Sequence, residues 1–189
     1  MREGHPFGSD NPMSGSMSAH APGCSVGGAP AAEGNGVPIL SSHHGHDLEH
    51  WPLHHTLVLG AVDSAVPAAR AHLRQLLREW DQAQVEEDAS VVISELVTNA
   101  VVASAELGPA VAPVLAWLGS DRHRVLLAVA DASPQPPMRL PLGPFAYGGR
   151  GLALVEALCS RWGWCPASIA GLAKAVWAEW LLPDCRHAV

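Results

Sequence analysis

The spacing of hydrophobic positions changes several times along this chain, and the changes mark its elements. Residues 56–62, Thr-Leu-Val-Leu-Gly-Ala-Val, make an apolar run of strand length. Val66, Ala69, Leu73, Leu76, Leu77 and Trp80 then recur at helical spacing. That predicts a helix over 65–80, with Ser64 as its N-cap and Pro67 tolerated in the first turn. Arg70, Arg74 and Arg78 fall on another face and are expected in solvent. A second helix is predicted over 85–106, with Glu86, Glu87 and Asp88 well placed in its first turn and Gly108-Pro109 to stop it. Strands follow over 112–118 and 124–130, joined by the turn-like Gly119-Ser120-Asp121. After a Pro- and Gly-rich stretch from Asp131 to Arg150 come a short helix over 151–161 and closing strands over 162–166 and 173–182. A connection that long inside a compact domain is usually functional, often a lid. The order β-α-α-β-β-α-β-β predicts an α/β (α+β) two-layer sandwich: a mixed, largely antiparallel sheet with about three helices on one face.

One stripe breaks the pattern of the second helix. Val91, Val92, Ile93, Leu96, Val97, Ala100, Val101 and Val102 surround Glu95 and Asn99. Residues four apart share a helical face, so the carboxylate and the amide stack one above the other. A helix apolar nearly all round is expected to be buried, and buried polar groups need partners. The pair fits a general base above a metal ligand. It fits equally a structural pair satisfied by neighbouring backbone.

Composition separates a tail from a domain. Residues 1 to about 50 are rich in Gly, Pro, Ser, Ala and His, with Arg2 as their one fixed positive charge. Such a segment cannot bury enough apolar surface to offset its ordering entropy and is expected to be disordered. Residues 51–189 are expected to form one domain. His43, His44, His46, His50, His54 and His55, with Asp47 and Glu49 between them, are transition-metal ligand types whose spacing matches no fixed site. A net charge of -7 and a pI near 5.8 weigh against direct nucleic-acid binding. Lys174 is the only lysine. The four cysteines form no C-x-x-C pair, so no zinc ribbon is indicated and free thiols in a reducing cytoplasm are expected. The opening residues lack the charged-then-apolar pattern of a secretory signal, and no uninterrupted apolar run reaches the roughly 18 residues that span a bilayer.

Two further features carry chemistry. Asp131 leaves the apolar run Val125-Leu126-Leu127-Ala128-Val129-Ala130 and enters the long connection, a place from which it can accept a hydrogen bond from a ligand amino group. Gly148-Gly149-Arg150-Gly151 directly precedes the third helix, where backbone free of side chains lets N–H groups and the helix dipole approach phosphates.

In chain order, Glu-Leu-Val-Thr-Asn-Ala (95–100), Asp-Ala-Ser-Pro-Gln-Pro-Pro (131–137) and Gly-Gly-Arg-Gly-Leu-Ala-Leu-Val-Glu-Ala-Leu (148–158) resemble the ATP-binding domain of the anti-sigma-factor serine kinases. That family shares a superfamily with histidine kinases, gyrase and the heat-shock chaperone ATPases. The likeness is closest to its small stand-alone actinobacterial members. Leu59-Gly60-Ala61 with Ser64-Ala65-Val66-Pro67, and Arg161-Trp162-Gly163-Trp164 before Lys174-Ala175-Val176-Trp177-Ala178-Glu179, extend it over about residues 56–182.

The resemblance implies a role for each matched position. Glu95 would polarise the attacking group, Asn99 would ligate Mg²⁺ between the phosphates, and Asp131 would read the adenine amino group. Gly149 and Gly151 would pass close to the phosphates, with Arg150 and Leu152 beside them in the nucleotide site. Residues 133–148 would form the lid. The implied activity is transfer of the ATP γ-phosphate to a serine of an antagonist protein. A sigma factor would be a further partner, and relatives are often homodimers. Neither a membrane nor a nucleic acid is expected as a partner. The chain departs from the family's pattern where Ala132-Ser133-Pro134-Gln135 replaces a glycine-containing run after the acid. It departs again where Val101, Val102 and Ala103 stand at positions often basic or histidine, and where Ala175 follows Lys174 at a place commonly held by Thr. These changes keep an alternative open: a catalytically impaired, non-enzymatic partner-binding switch with weak or no nucleotide binding.

Overall fold

The two face-specific patterns of the strands decide how the layers stack. The computed structural model describes residues 25–26, 51–108, 112–138, 151–167 and 169–183. Its elements are β1 (Ser25–Val26), β2 (Leu53–Leu59), α1 (Ala65–Glu79), α2 (Glu86–Ala105), β3 (Val114–Ser120), β4 (Arg124–Asp131), α3 (Gly151–Leu158), β5 (Arg161–Pro166) and β6 (Lys174–Leu181). A 3₁₀ turn, Ala83–Val85, leads into α2. The strand order is β1-β5-β6-β4-β3-β2, and every described pairing is antiparallel rather than mixed. Five longer strands make the sheet. Ser25 and Val26, inside the stretch expected to lack structure, add a short pairing opposite Trp164 and Gly163 at the β5 edge.

Alternation along the strands gives the sheet one helix-covered face. Ala116, Leu118, Leu127, Val129, Val176 and Ala178 point into the main core, where they meet Ala69, Leu73 and Leu77 of α1, Val92, Ile93 and Leu96 of α2, and Leu152 and Val155 of α3. The intervening residues Trp117, Leu126, Ala128, Ala130 and Ala175 form a second apolar cluster with Trp51. Trp51 packs edge-on against Trp117 at 5.8 Å, and the Arg124 guanidinium lies 5.1 Å from the Trp51 ring centre. The architecture is therefore α+β, with three helices on one face of an antiparallel sheet.

Several local expectations need correction. The first long strand covers 53–59, not 56–62, because Leu53 through Leu59 find partners from Ser120 back to Val114, whereas Gly60-Ala61-Val62 turns toward α1. His54 and His55 thus belong to an edge strand. Ser64 occupies the N-cap position of α1 but its side chain makes no capping hydrogen bond. Arg74 and Arg78 are exposed, as expected of the α1 arginines, and Arg70 is half-buried; all three also bond across to α2. Arg74 Nε donates to Ser90 Oγ at 2.9 Å, Arg70 reaches Ser94 Oγ at 3.4 Å, and Arg78 forks onto both oxygens of Glu86 at 2.7 and 2.6 Å, tying α1 to α2. The hydrogen bonds from Arg78 hold the Glu86 carboxyl below its ordinary range.

Helix α2 ends where Gly108 takes φ +97°, a left-handed conformation that glycine adopts freely. With the turn before it, α2 is long and apolar enough by composition to cross a bilayer, yet half of that stretch is buried against α1 and the sheet, as in a central core helix.

Candidate functional site

The site begins with the polar stripe of α2. Glu95 and Asn99 lie one turn apart, as their spacing requires, but the stripe is not buried: Glu95 is half-buried, and Thr98 and Asn99 are exposed. The helix packs on the sheet and α1 through Ala89, Val92, Ile93, Leu96, Val97 and Ala100, which leaves Val91 and Val102 exposed as well. Val102, with Ala103, lines an opening rather than a core.

The start of α3 closes over this stripe. Gly151 is the first residue of α3, and a Cβ placed there would lie 2.5 Å from Glu95 Oε2 and 3.6 Å from Asn99 Nδ2. The structure therefore brings Gly151 to Glu95 and Asn99, which lie more than fifty positions before it in the sequence. A carboxylate against a helix N-terminus is favoured by the partial positive charge of the unsatisfied N–H groups.

The other end of the site is built from two antiparallel strands. Asp131 ends β4 and Lys174 begins β6, directly opposite one another in the ladder. Lys174 Nζ donates to Asp131 Oδ1 at 2.6 Å and to the Ser133 carbonyl at 3.0 Å, and the Ser133 N–H donates to the same Oδ1 at 2.8 Å. The Asp131 and Lys174 side chains are only 3% and 7% exposed. A pair so buried persists because each charge has a partner and further hydrogen bonds.

Between these ends lies a cavity of about 320 Å³, a size within the usual range for small-molecule sites. Leu96, Ala100, Val129, Leu152 and Val176 form its apolar floor. Asn99, Asp131, Ser133 and Lys174 supply polar groups, and Pro136, Pro137 and Met138 lie along the rim.

Of the residues expected in a nucleotide site, Asn99, Asp131 and Leu152 line this cavity, and Glu95 and Gly151 meet beside it. Gly149 and Arg150 lie outside the described residues, as do residues 139–148 of the expected lid. Val102 and Ala103, at the positions noted for lacking a basic group, also line the cavity.

Lys174 is the cavity-lining residue that sequence reasoning did not place. Its signal was available: a sole lysine at the head of an apolar strand, two positions before the inward-facing Val176. Alternation puts such a residue on the core side, where a lysine needs a carboxylate.

Among the described residues no group of three or more His, Cys, Asp or Glu side chains is placed to hold a metal ion. His43, His44, His46 and His50 lie outside the described residues, while His54 Nδ1 is bonded to the Trp51 carbonyl and the His55 ring lies 4.6 Å from that of His72. Cys159 and Cys165 are free thiols, and burial pushes the Cys159 thiol up to about 11, so it is a poor nucleophile. Compared with known proteins, the chain matches no family model and no curated protein.

Proposed function

We propose that this chain is an ATP-binding regulatory protein of the anti-sigma-factor serine/threonine kinase type, which transfers the ATP γ-phosphate to a serine of an antagonist protein and so controls a sigma factor in the cytoplasm. The observation that carries the reading is the meeting of Glu95, Asn99 and Gly151 at one end of a cavity whose other end holds Asp131.

The residues present suit ATP with Mg²⁺. The Asn99 amide oxygen is a hard ligand, and Mg²⁺ typically takes one or two protein oxygens with the rest from phosphates and water. Bound MgATP supplies the transferable phosphoryl group. The chain's own part is to hold and orient it. On this reading the α3 N-terminus receives phosphate oxygens, next to the Glu95 carboxylate that a side chain at position 151 would crowd. The Glu95 carboxylate is the group that takes the proton from an incoming serine hydroxyl. Asp131 accepts from the adenine amino group, over a floor of Val129 and Val176.

A second reading is favoured by a specific observation: Asp131 already carries an ion pair to Lys174. On that reading the chain is a non-enzymatic switch that binds a partner with weak or no nucleotide affinity. Calorimetric titration of the full chain with ATP, with and without Mg²⁺, followed by incubation with γ-labelled ATP and lysate proteins, separates the two. Mg²⁺-dependent binding with label transferred to a serine supports the kinase. Binding without transfer supports the switch, and no binding at millimolar ATP removes the nucleotide site altogether.

A further inference from the structure

We infer that Lys174 is a second base-reading residue, which donates to purine N1 while Asp131 accepts from the 6-amino group. The inference rests on the nucleotide-binding reading above and adds to it a specificity-determining side chain.

An ammonium has three protons. At Lys174 two of them go to Asp131 Oδ1 and the Ser133 carbonyl. Among the described residues the third has no partner, and Lys174 lines the cavity. The carboxylate is arranged in the same way. Both of its described contacts, from Lys174 Nζ and from the Ser133 N–H, use Oδ1, which leaves Oδ2 as the acceptor for a ligand in the cavity that Asp131 also lines. The wall thus presents an acceptor and a donor side by side, held in fixed order by a cross-strand pair. Neither can turn away without breaking a buried ion pair.

Such a wall is complementary to an edge that offers a donor beside an acceptor. The 6-amino group and N1 of adenine are that edge. Guanine presents the opposite order, a carbonyl oxygen beside N1–H, so both contacts would set like against like. A lone carboxylate would meet one such mismatch. The pair meets two, and therefore discriminates more strongly. Pairing also offsets the Asp131 charge, which lessens the repulsion that this carboxylate would exert on a polyanionic nucleotide.

The test uses the full chain and three triphosphates in competition: ATP, GTP and 1-deaza-ATP, in which C–H replaces N1. Wild-type protein is expected to bind 1-deaza-ATP about tenfold or more weakly than ATP, the loss typical of a hydrogen bond from a charged donor. Lys174→Met is expected to bind ATP more weakly by a similar factor, to lose the distinction between ATP and 1-deaza-ATP, and to discriminate less against GTP. If Lys174→Met does not fold, the neutral pair Asp131→Asn/Lys174→Met replaces it, and the analogue comparison on wild-type protein needs no variant. Equal affinity of the wild type for ATP and 1-deaza-ATP overturns the inference while leaving the nucleotide site standing. So does tighter ATP binding by Lys174→Met, which would make Lys174 a competitor for Asp131. Absence of any ATP binding overturns the nucleotide reading itself and the inference with it.

Discussion

Gly151 at the start of α3 lies so close to Glu95 on α2 that a methyl group at position 151 would fall 2.5 Å from Oε2. The atom in the way is the end of a side chain, not backbone, so it can swing aside. Gly151→Ala should therefore displace the carboxylate without breaking the fold. We expect phosphoryl transfer to fall by tenfold or more while the thermal midpoint stays within a few degrees of wild type. A large drop in the midpoint would show instead that the α2–α3 contact depends on that glycine.

Glu95 and Asn99 should separate in function. Asn99 is exposed at the cavity, and surface substitutions away from special features usually change stability by less than about 0.5 kcal/mol. Asn99→Ala should weaken ATP binding only when Mg²⁺ is present. Glu95→Ala should leave affinity nearly unchanged and abolish transfer, with a stability loss of about 0.3–1 kcal/mol from its place at the α3 N-terminus. Calorimetry with and without Mg²⁺, paired with a transfer assay, reads both. Equal and large stability losses from the two substitutions would mark a structural pair.

The Asp131–Lys174 pair makes a third prediction. Removing one partner of a buried pair leaves an uncompensated charge, at a cost of about 3–5 kcal/mol. Asp131→Ala and Lys174→Met should each lower the urea midpoint sharply. The combined Asp131→Leu/Lys174→Met variant should recover most of that loss, because an apolar pair of similar volume avoids the desolvation penalty. A double variant no more stable than the worse single variant would refute the coupling.

A fourth prediction concerns pH. His72 is held below the ordinary histidine range, first by burial and then by the neighbouring His55, with Glu79 acting in the opposite direction. A histidine whose folded value is depressed takes up a proton more readily when unfolded. Its contribution to stability is therefore present above about pH 6.5, the unfolded value, and is lost as the pH falls from there through the lowered folded value. Between pH 7.5 and 5.5 the unfolding free energy should fall more steeply for wild type than for His72→Leu, measured by urea denaturation at each pH. Parallel slopes would assign the acid sensitivity to other groups.

The elements with strong internal patterns were legible. The α1 and α2 boundaries fall within one residue of the pattern because period and stop signals agree there, Gly108 included. Strand β4 was legible as the unbroken apolar run 125–130, and β6 as an apolar stretch interrupted only by Glu179 after Lys174. β2 was displaced because its first residues include His54 and His55, polar positions that an edge strand tolerates and that periodicity assigned to the tail. The stripe of α2 was read as buried because neighbouring valines suggested a helix enclosed on all sides, whereas a cavity occupies one side. The partner of Asp131 lies 43 positions away, and only strand pairing reveals that the sole lysine stands opposite it.

Trp51 belongs to the folded unit although it lies ahead of the regular hydrophobic pattern. It is 1% exposed, its carbonyl accepts from His54, and its ring lies against Trp117 beneath the Arg124 guanidinium, which also pairs with Asp121 and reaches Glu179. A fragment cut at Thr56, where the hydrophobic pattern first becomes regular, would shorten β2 by three residues and strip the lining from the back of the sheet. Trp117 and Leu126 would then face water, and Arg124 would lose the ring it stacks on. The minimal stable piece of this protein is longer than its visible pattern, and any trimmed version should keep the indole at position 51.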